Sequence, residues 1–323
     1  MHQRRHSIIW MFLTLLTAGV LTGVAVVRNS PESDAKSSRS IVTERNVIGP
    51  VVVPLVGPLT VAVQPGHWKI DELPAEARRR ERGPGAIHGE IREIDINLAV
   101  VDALVPLLED EGWKVLVIPA TVPPGLRTDA FISVHADWGG DPDRRGWKLA
   151  PPWRPSLAAS DLAASLREAF LAEPALVEDV GGITVGMRGY FGFSSSRYIH
   201  ASSPYTPAVL LELGFVTNAI DSELMLSRPE FYAAIIHRGL VNHFARWDRK
   251  NVWSLIPRLF STLRVAANGA VVHRLPDAES NVLRRLEPGE LIWPVDERDG
   301  WIEARFRNPN QIGWVSKAML SGS

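Results

Sequence analysis

Apolar and polar positions along this chain fall into blocks whose period changes several times. Residues 8–27 form an unbroken run without charge, long enough to span a bilayer as a helix. Residues 29–45 lose all periodicity and are rich in Ser, Asp, Glu and Lys, which predicts a flexible tether. Residues 47–59 are apolar but interrupted by Pro50, Pro54 and Pro58, which predicts no more than an extended lead-in. From Thr60 the pattern reads strand, helix, strand. Thr60-Val61-Ala62-Val63 is a β-branched run that ends at the turn signal Pro65-Gly66-His67. Ile94, Leu98, Val101, Leu104 and Leu108 recur at three and four residues, the spacing of an amphipathic helix, with Gly112 as its stop. Strands over 114–118, 130–134 and 208–213 alternate with helices over 157–171 and 230–247. That order predicts an α/β domain with a mostly parallel sheet flanked by helices.

After Trp247 the helical period disappears. Short strand patterns separated by Asn268-Gly269, Pro288-Gly289 and Asp299-Gly300 predict a small all-β barrel. The division is then a tip at 1–7, an apolar segment at 8–27, a tether at 28–58, the α/β domain at 59–248, a linker at 249–262 and the barrel at 263–321.

Charge fixes the orientation of the first block. Arg4 and Arg5 precede the apolar run and Arg28 follows it, which favours an N-terminus inside and everything after it outside. Gly23-Val24-Ala25 would serve as a signal-peptide cleavage site. The run is longer than a usual signal core, and we read it as an uncleaved single-pass anchor, with the domains on the extracytoplasmic side of the cell membrane. The formal net charge of the 323 residues is −1, and no basic patch suggests nucleic acid as a partner. The chain contains no cysteine, which excludes disulfides and thiolate chemistry and leaves His and carboxylates for any metal.

Four residues stand out as candidate chemistry. His67 follows the first strand and His135 follows the third, and ligands gather at the carboxyl edge of parallel strands. Glu93 begins the first long helix. Glu212 sits inside Val209-Leu210-Leu211-Glu212-Leu213-Gly214-Phe215, an otherwise apolar strand where an ionised carboxylate needs a partner. Taken singly, each has a structural explanation: a hydrogen-bonded strand-end histidine, a helix-dipole acid or a core ion pair.

Four motifs occur in order: Gly66-His67, Glu93 with Asn97-Leu98, Ser133-Val134-His135-Ala136, and Leu210 through Gly214-Phe215 to Asn218. In these the chain resembles the zinc-dependent N-acetylmuramoyl-L-alanine amidases. The resemblance implies that His67, Glu93 and His135 bind zinc and that Glu212 is the catalytic carboxylate. It also implies a peptidoglycan substrate, cut between N-acetylmuramic acid and L-Ala by a zinc-activated water with Glu212 as general acid and base. A zinc peptidase acting within the stem peptide or cross-bridge is the alternative enzyme, and a non-catalytic wall-binding protein the alternative outside catalysis.

The chain departs from the family at Trp68-Lys69, at the short crossing 119–127 and at Asp137. Arg188, His200 and Tyr205 are weaker candidates for lining the cleft, with an ordinary surface role equally open to Arg188. Asp95 and Asp137 are candidate acceptors for ligand imidazoles against a default of solvated surface acids, and His88 is a reserve ligand. His237 and His243 are expected to be structural. The C-terminal segment resembles bacterial SH3-like domains through Asn281-Val282-Leu283, Leu286-Glu287-Pro288-Gly289, Asp299-Gly300-Trp301 and Ile312-Gly313-Trp314-Val315. That likeness implies peptidoglycan binding, with Trp293, Trp301 and Trp314 as candidate groove residues.

Overall fold

Val61 and Val63 point to one side of the first strand and Ala62 to the other, and both sides are buried. The same double burial recurs along the strands at 130–137 and 208–215, which explains their continuous apolar runs. In the computed structural model the described residues are 52–78, 83–307 and 310–322. The apolar run 8–27 and most of the tether lie outside them. Among the described residues no helix is long and apolar enough to cross a membrane.

The elements in chain order are β1 (Thr60–Pro65), β2 (Ile87–His88), β3 (Ile91–Arg92), α1 (Glu93–Asp110), β4 (Lys114–Val117), β5 (Ala130–Asp137) and β6 (Lys148–Ala150). Then come α2 (Leu157–Leu171), α3 (Val185–Arg188), β7 (Ala208–Phe215), α4 (Ala219–Ser227) and α5 (Pro229–Arg246). The main sheet has the order β4-β1-β5-β7-β6. Its first four strands are parallel and β6 is an antiparallel edge. One face packs on α1, α2 and α5 through Ile96, Val100, Leu104, Leu166, Phe170 and Ile236. The opposite face packs on irregular segments through Leu73, Ile118, Val122, Phe131, Tyr190 and Phe193.

The predicted strands and long helices form where the periodicity places them, with shifts of a residue or two at most ends. The hairpin β2–β3, the edge strand β6 and the short helices α3 and α4 are additions to that expectation. Helix α1 starts on Glu93 and keeps its turn through Pro106, which is exposed. A proline there removes one hydrogen bond from the solvent side, leaving the buried stripe intact.

Seven further strands make an antiparallel C-terminal sheet: β8 (Leu263–Val265), β9 (Ala270–His273), β10 (Val282–Leu286), β11 (Leu291–Arg298), β12 (Trp301–Arg307), β13 (Asn310–Ser316) and β14 (Leu320–Gly322). Val265, Val272, Ile292, Ile302 and Val315 form its core. Residues 50–323 are one compact unit. The segment 249–262 lies against the α/β layer: Arg249 pairs with Asp129 at 2.7 Å, and Arg258 donates to Ser160 Oγ at 2.8 Å. The three tryptophans do not share one groove. Trp293 faces Trp153 and Phe260, Trp301 stands edge-on to His273, and Trp314 is buried under the Arg298 guanidinium.

Candidate metal centre and active site

Backbone pairing at the carboxyl edge of the sheet brings the four candidate residues together. Pro65 pairs with Val134, so His67 emerges beside His135. His135 in turn pairs with Glu212 across β5 and β7. Glu93 enters from the first turn of α1. Its Oε1 lies 2.9 Å from His135 Nδ1, and its Oε2 lies 3.4 Å from His67 Nε2. One ligand atom from each of His67, Glu93 and His135 fits within a 4.8 Å cluster. Glu212 borders the same cleft, a hollow of about 570 Å³ also walled by Trp138, Met187 and Tyr190.

Local backbone geometry is arranged around these side chains. His67 and Lys69 both adopt positive φ, 63° and 55°, an unfavourable choice for residues with a Cβ. Three residues thus turn the chain sharply out of β1 and bring the His67 imidazole back over the sheet edge. Gly66 must be glycine for a separate reason. A Cβ there would stand 2.4 Å from the His135 ring, well inside van der Waals contact.

Hydrogen-bond partners assign the ring protons. Gly83 O can only accept, so the 3.0 Å contact from His67 Nδ1 places a proton on Nδ1 and the lone pair on Nε2. Gln64 Nε2 donates to the carbonyls of Pro119 and Ala120, at 2.8 and 3.3 Å, which turns Gln64 Oε1 toward the hydroxyls of Ser133 and Tyr190, each at 2.7 Å. Ser133 spends its proton on Gln64, so its Oγ accepts from His135 Nε2–H at 3.1 Å. In the neutral ring His135 Nδ1 therefore carries the lone pair that faces Glu93. Two acceptor nitrogens converging on a carboxylate repel it unless a cation or a shared proton lies between them. Two imidazoles and one carboxylate in that state are a donor set suited to a catalytic zinc.

Glu93 is buried, which raises its pKa. With a proton shared between these nitrogens and the carboxylate in place of a cation, hydrogen bonds and charge from His135 and His67 outweigh that burial and hold the carboxyl well below the usual range. Ala86 N and Ala136 N also donate to it, at 2.6 and 3.2 Å, and Asn97 Nδ2 at 3.3 Å. The carboxylate is thus fixed from both sides before any ligand arrives.

Other candidates lie elsewhere. His88 is exposed on the β2–β3 hairpin, outside the cluster. Asp95 faces Arg92 at 3.7 Å. Asp137 pairs with Lys148 Nζ at 2.7 Å and orients neither imidazole. His200 bonds Glu76 at 2.8 Å, and Tyr205 lies under the Arg127 guanidinium. His237 pairs with Glu111, and His243 pairs with Asp161 and stacks on Trp247, which fits structural roles. Arg188 turns away from the cleft and pairs with Glu303 of β12. Two residues near the site escaped the sequence reading. Gln64 looks like an ordinary alternating polar residue, and the fully buried Lys148 sits in a strand too short to signal itself.

Residues 61–240 match the N-acetylmuramoyl-L-alanine amidase family. The chain belongs to that family. Among solved structures it is similar to the amidase AmiC2 of Nostoc punctiforme, at 19% identity, covering 59% of this chain and 99% of that one with a TM-score of 0.42. The amidase Ami1 from Mycobacterium smegmatis is 21% identical over 58% of this chain and 98% of its own, with a TM-score of 0.42. The CwlD amidase from Clostridioides difficile, solved with the GerS lipoprotein, is 17% identical over 58% of this chain and 98% of its own, with a TM-score of 0.42. No curated protein matches the chain. The matched region ends before the C-terminal sheet, so the SH3-like resemblance of that sheet rests on its sequence motifs.

Proposed function

We propose that this protein hydrolyses the amide between N-acetylmuramic acid and L-Ala in peptidoglycan, using zinc held by His67, Glu93 and His135 and Glu212 as the proton-transferring carboxylate. The observation that carries the reading is the proton inventory of the cluster. Gly83 and Ser133 take the outer N–H groups of the two imidazoles, leaving both inner nitrogens directed at the Glu93 carboxylate.

Zinc bound there would supply a Lewis acid for the scissile carbonyl and a water made acidic enough to react near neutral pH. The chain's own groups do the rest. Gly83 and Ser133 hold the tautomers that keep the inner nitrogens basic. Glu212, in register with His135, takes a proton from the attacking water and later delivers one to the leaving L-Ala nitrogen. Trp138 and Met187 wall the cleft in which the reacting bond would lie.

The setting is part of the same proposal. The segment 8–27 anchors the chain in the cell membrane, 28–58 spans from it, 59–248 cuts the wall on the extracytoplasmic side and 263–321 is an SH3-like module. A chelator test addresses the metal. Protein stripped of metal should fail to hydrolyse a soluble muropeptide and regain activity with one equivalent of zinc, whereas His67→Ala should not regain it. Full activity in the stripped protein would refute the zinc assignment.

A further inference from the structure

Helix α3 separates two hollows. Gly186 and Met187 border the catalytic cleft, while Arg188 borders a second hollow of about 510 Å³ on the other side. Trp153, Arg154 and Arg305 line this second hollow and also a shallower one of about 170 Å³. Together the two make a groove along the seam between the α/β layer and the C-terminal sheet.

The lining is chemically one-sided. Arg154, Arg197 and Arg305 border the groove, and no Asp or Glu does. Arg188 is already neutralised by Glu303, but Arg154 and Arg197 have no acidic partner among the described residues. Ser195, Ser196, Ser202 and Ser203 border the same hollow. Ser156 caps α2 at the groove floor, accepting from Ala159 N at 3.1 Å, so the positive end of that helix faces the same hollow. The shallow end is aromatic: Trp153 lies 4.5 Å under the Arg305 guanidinium, and Trp293, 40% exposed, stands beside Phe260. Indole faces of this kind accept the C–H faces of sugar rings, while guanidiniums and hydroxyls accept carboxylates.

We propose that this groove is a second wall-binding site, taking a glycan whose peptide substituents carry free carboxylates: sugar rings against Trp153 and Trp293, carboxylates against Arg154 and Arg197. The identity of the polymer rests on the peptidoglycan reading above. Its placement gives it a purpose. Ala208 borders the groove and Glu212 borders the cleft on the same strand, about 13 Å apart at the usual rise. One polymer can therefore occupy both, held at the seam while a stem peptide is cut in the cleft.

The test uses the full-length chain with Glu212→Gln, so that the polymer survives, sedimented with sacculi freed of phosphate polymers by hydrofluoric acid. Adding Arg154→Gln, Arg197→Gln and Trp293→Ala should weaken binding by on the order of tenfold. Amidating the sacculus carboxylates should cause a similar loss for the parent protein without any further substitution. In the Glu212-intact background, the same three substitutions should leave hydrolysis of a soluble single-disaccharide muropeptide unchanged. Equal binding by the substituted protein, equal binding to amidated sacculi, or loss of parental binding once the phosphate polymers are removed would each overturn the groove. A protein that binds as described yet releases no stem peptide would instead refute the amidase reading and leave the groove standing.

Discussion

His135 occupies a buried strand yet keeps a nitrogen lone pair aimed at a carboxylate, because Ser133 two residues earlier fixes its other nitrogen. Ser133→Ala removes that acceptor from a small side chain. Zinc affinity should fall by about 10–100-fold, measured by competition titration, with the fold unchanged by circular dichroism; unchanged affinity would mean that Ser133 does not set the tautomer. Gly66→Ala attacks the same ring sterically, since its Cβ would land 2.4 Å from His135. It should cost metal binding and a few kcal/mol of stability, read by zinc content and denaturant melting. The four candidates that the structure brings together stood out because His67 and Glu93 mark a strand end and a helix start, Glu212 is a carboxylate within an apolar strand, and all four lie in motifs that resemble the family's. Gln64 was not, because nothing in a period of two separates an outward polar residue from one buried against two carbonyls.

At the scale of elements, long periodic segments declared themselves and short ones did not. Helix α1 carries enough turns to show a stripe, whereas the three-residue β6 is held by pairing with β7 and by Lys148, whose Nζ reaches Asp137 at 2.7 Å and Asp179 at 3.3 Å. Helix α4 did leave a signal in Asn218, whose Oδ1 accepts from Ile220 N and Asp221 N, both at 3.1 Å. Asn218→Ala should cost about 1 kcal/mol in chemical denaturation. A neutral result would mean that the core packing of α4 through Met225 suffices without its cap. Arg188 fits neither role that the sequence leaves open, facing substrate or solvent: the C-terminal sheet supplies a buried acid that draws it away from both.

For the whole molecule, that contact ties the two layers together. Glu303 is nearly inaccessible, with Arg188 as its ion-pair partner, and Asp296 lies 3.8 Å from the same guanidinium. Removing Arg188 by mutation to Ala leaves a buried acid without its counter-charge and should destabilise the fold by about 3 kcal/mol. Burial raises the Glu303 pKa more than Arg188 lowers it. The folded state therefore holds this proton more tightly than the unfolded chain does. That contribution to stability is complete below the ordinary carboxyl value of 4.5 and is lost as pH rises through the raised folded value. Denaturant melts from pH 4 to 7 should show the parent losing stability relative to Glu303→Gln as pH rises; parallel curves would contradict the raised pKa.

The central claim is the bond that is cut. Purified peptidoglycan digested with the metal-loaded protein and analysed by mass spectrometry should release intact stem peptides with a new L-Ala amine, and Glu212→Ala should release none. Products cut only between amino acids, with every stem still attached to its muramic acid, would contradict the account.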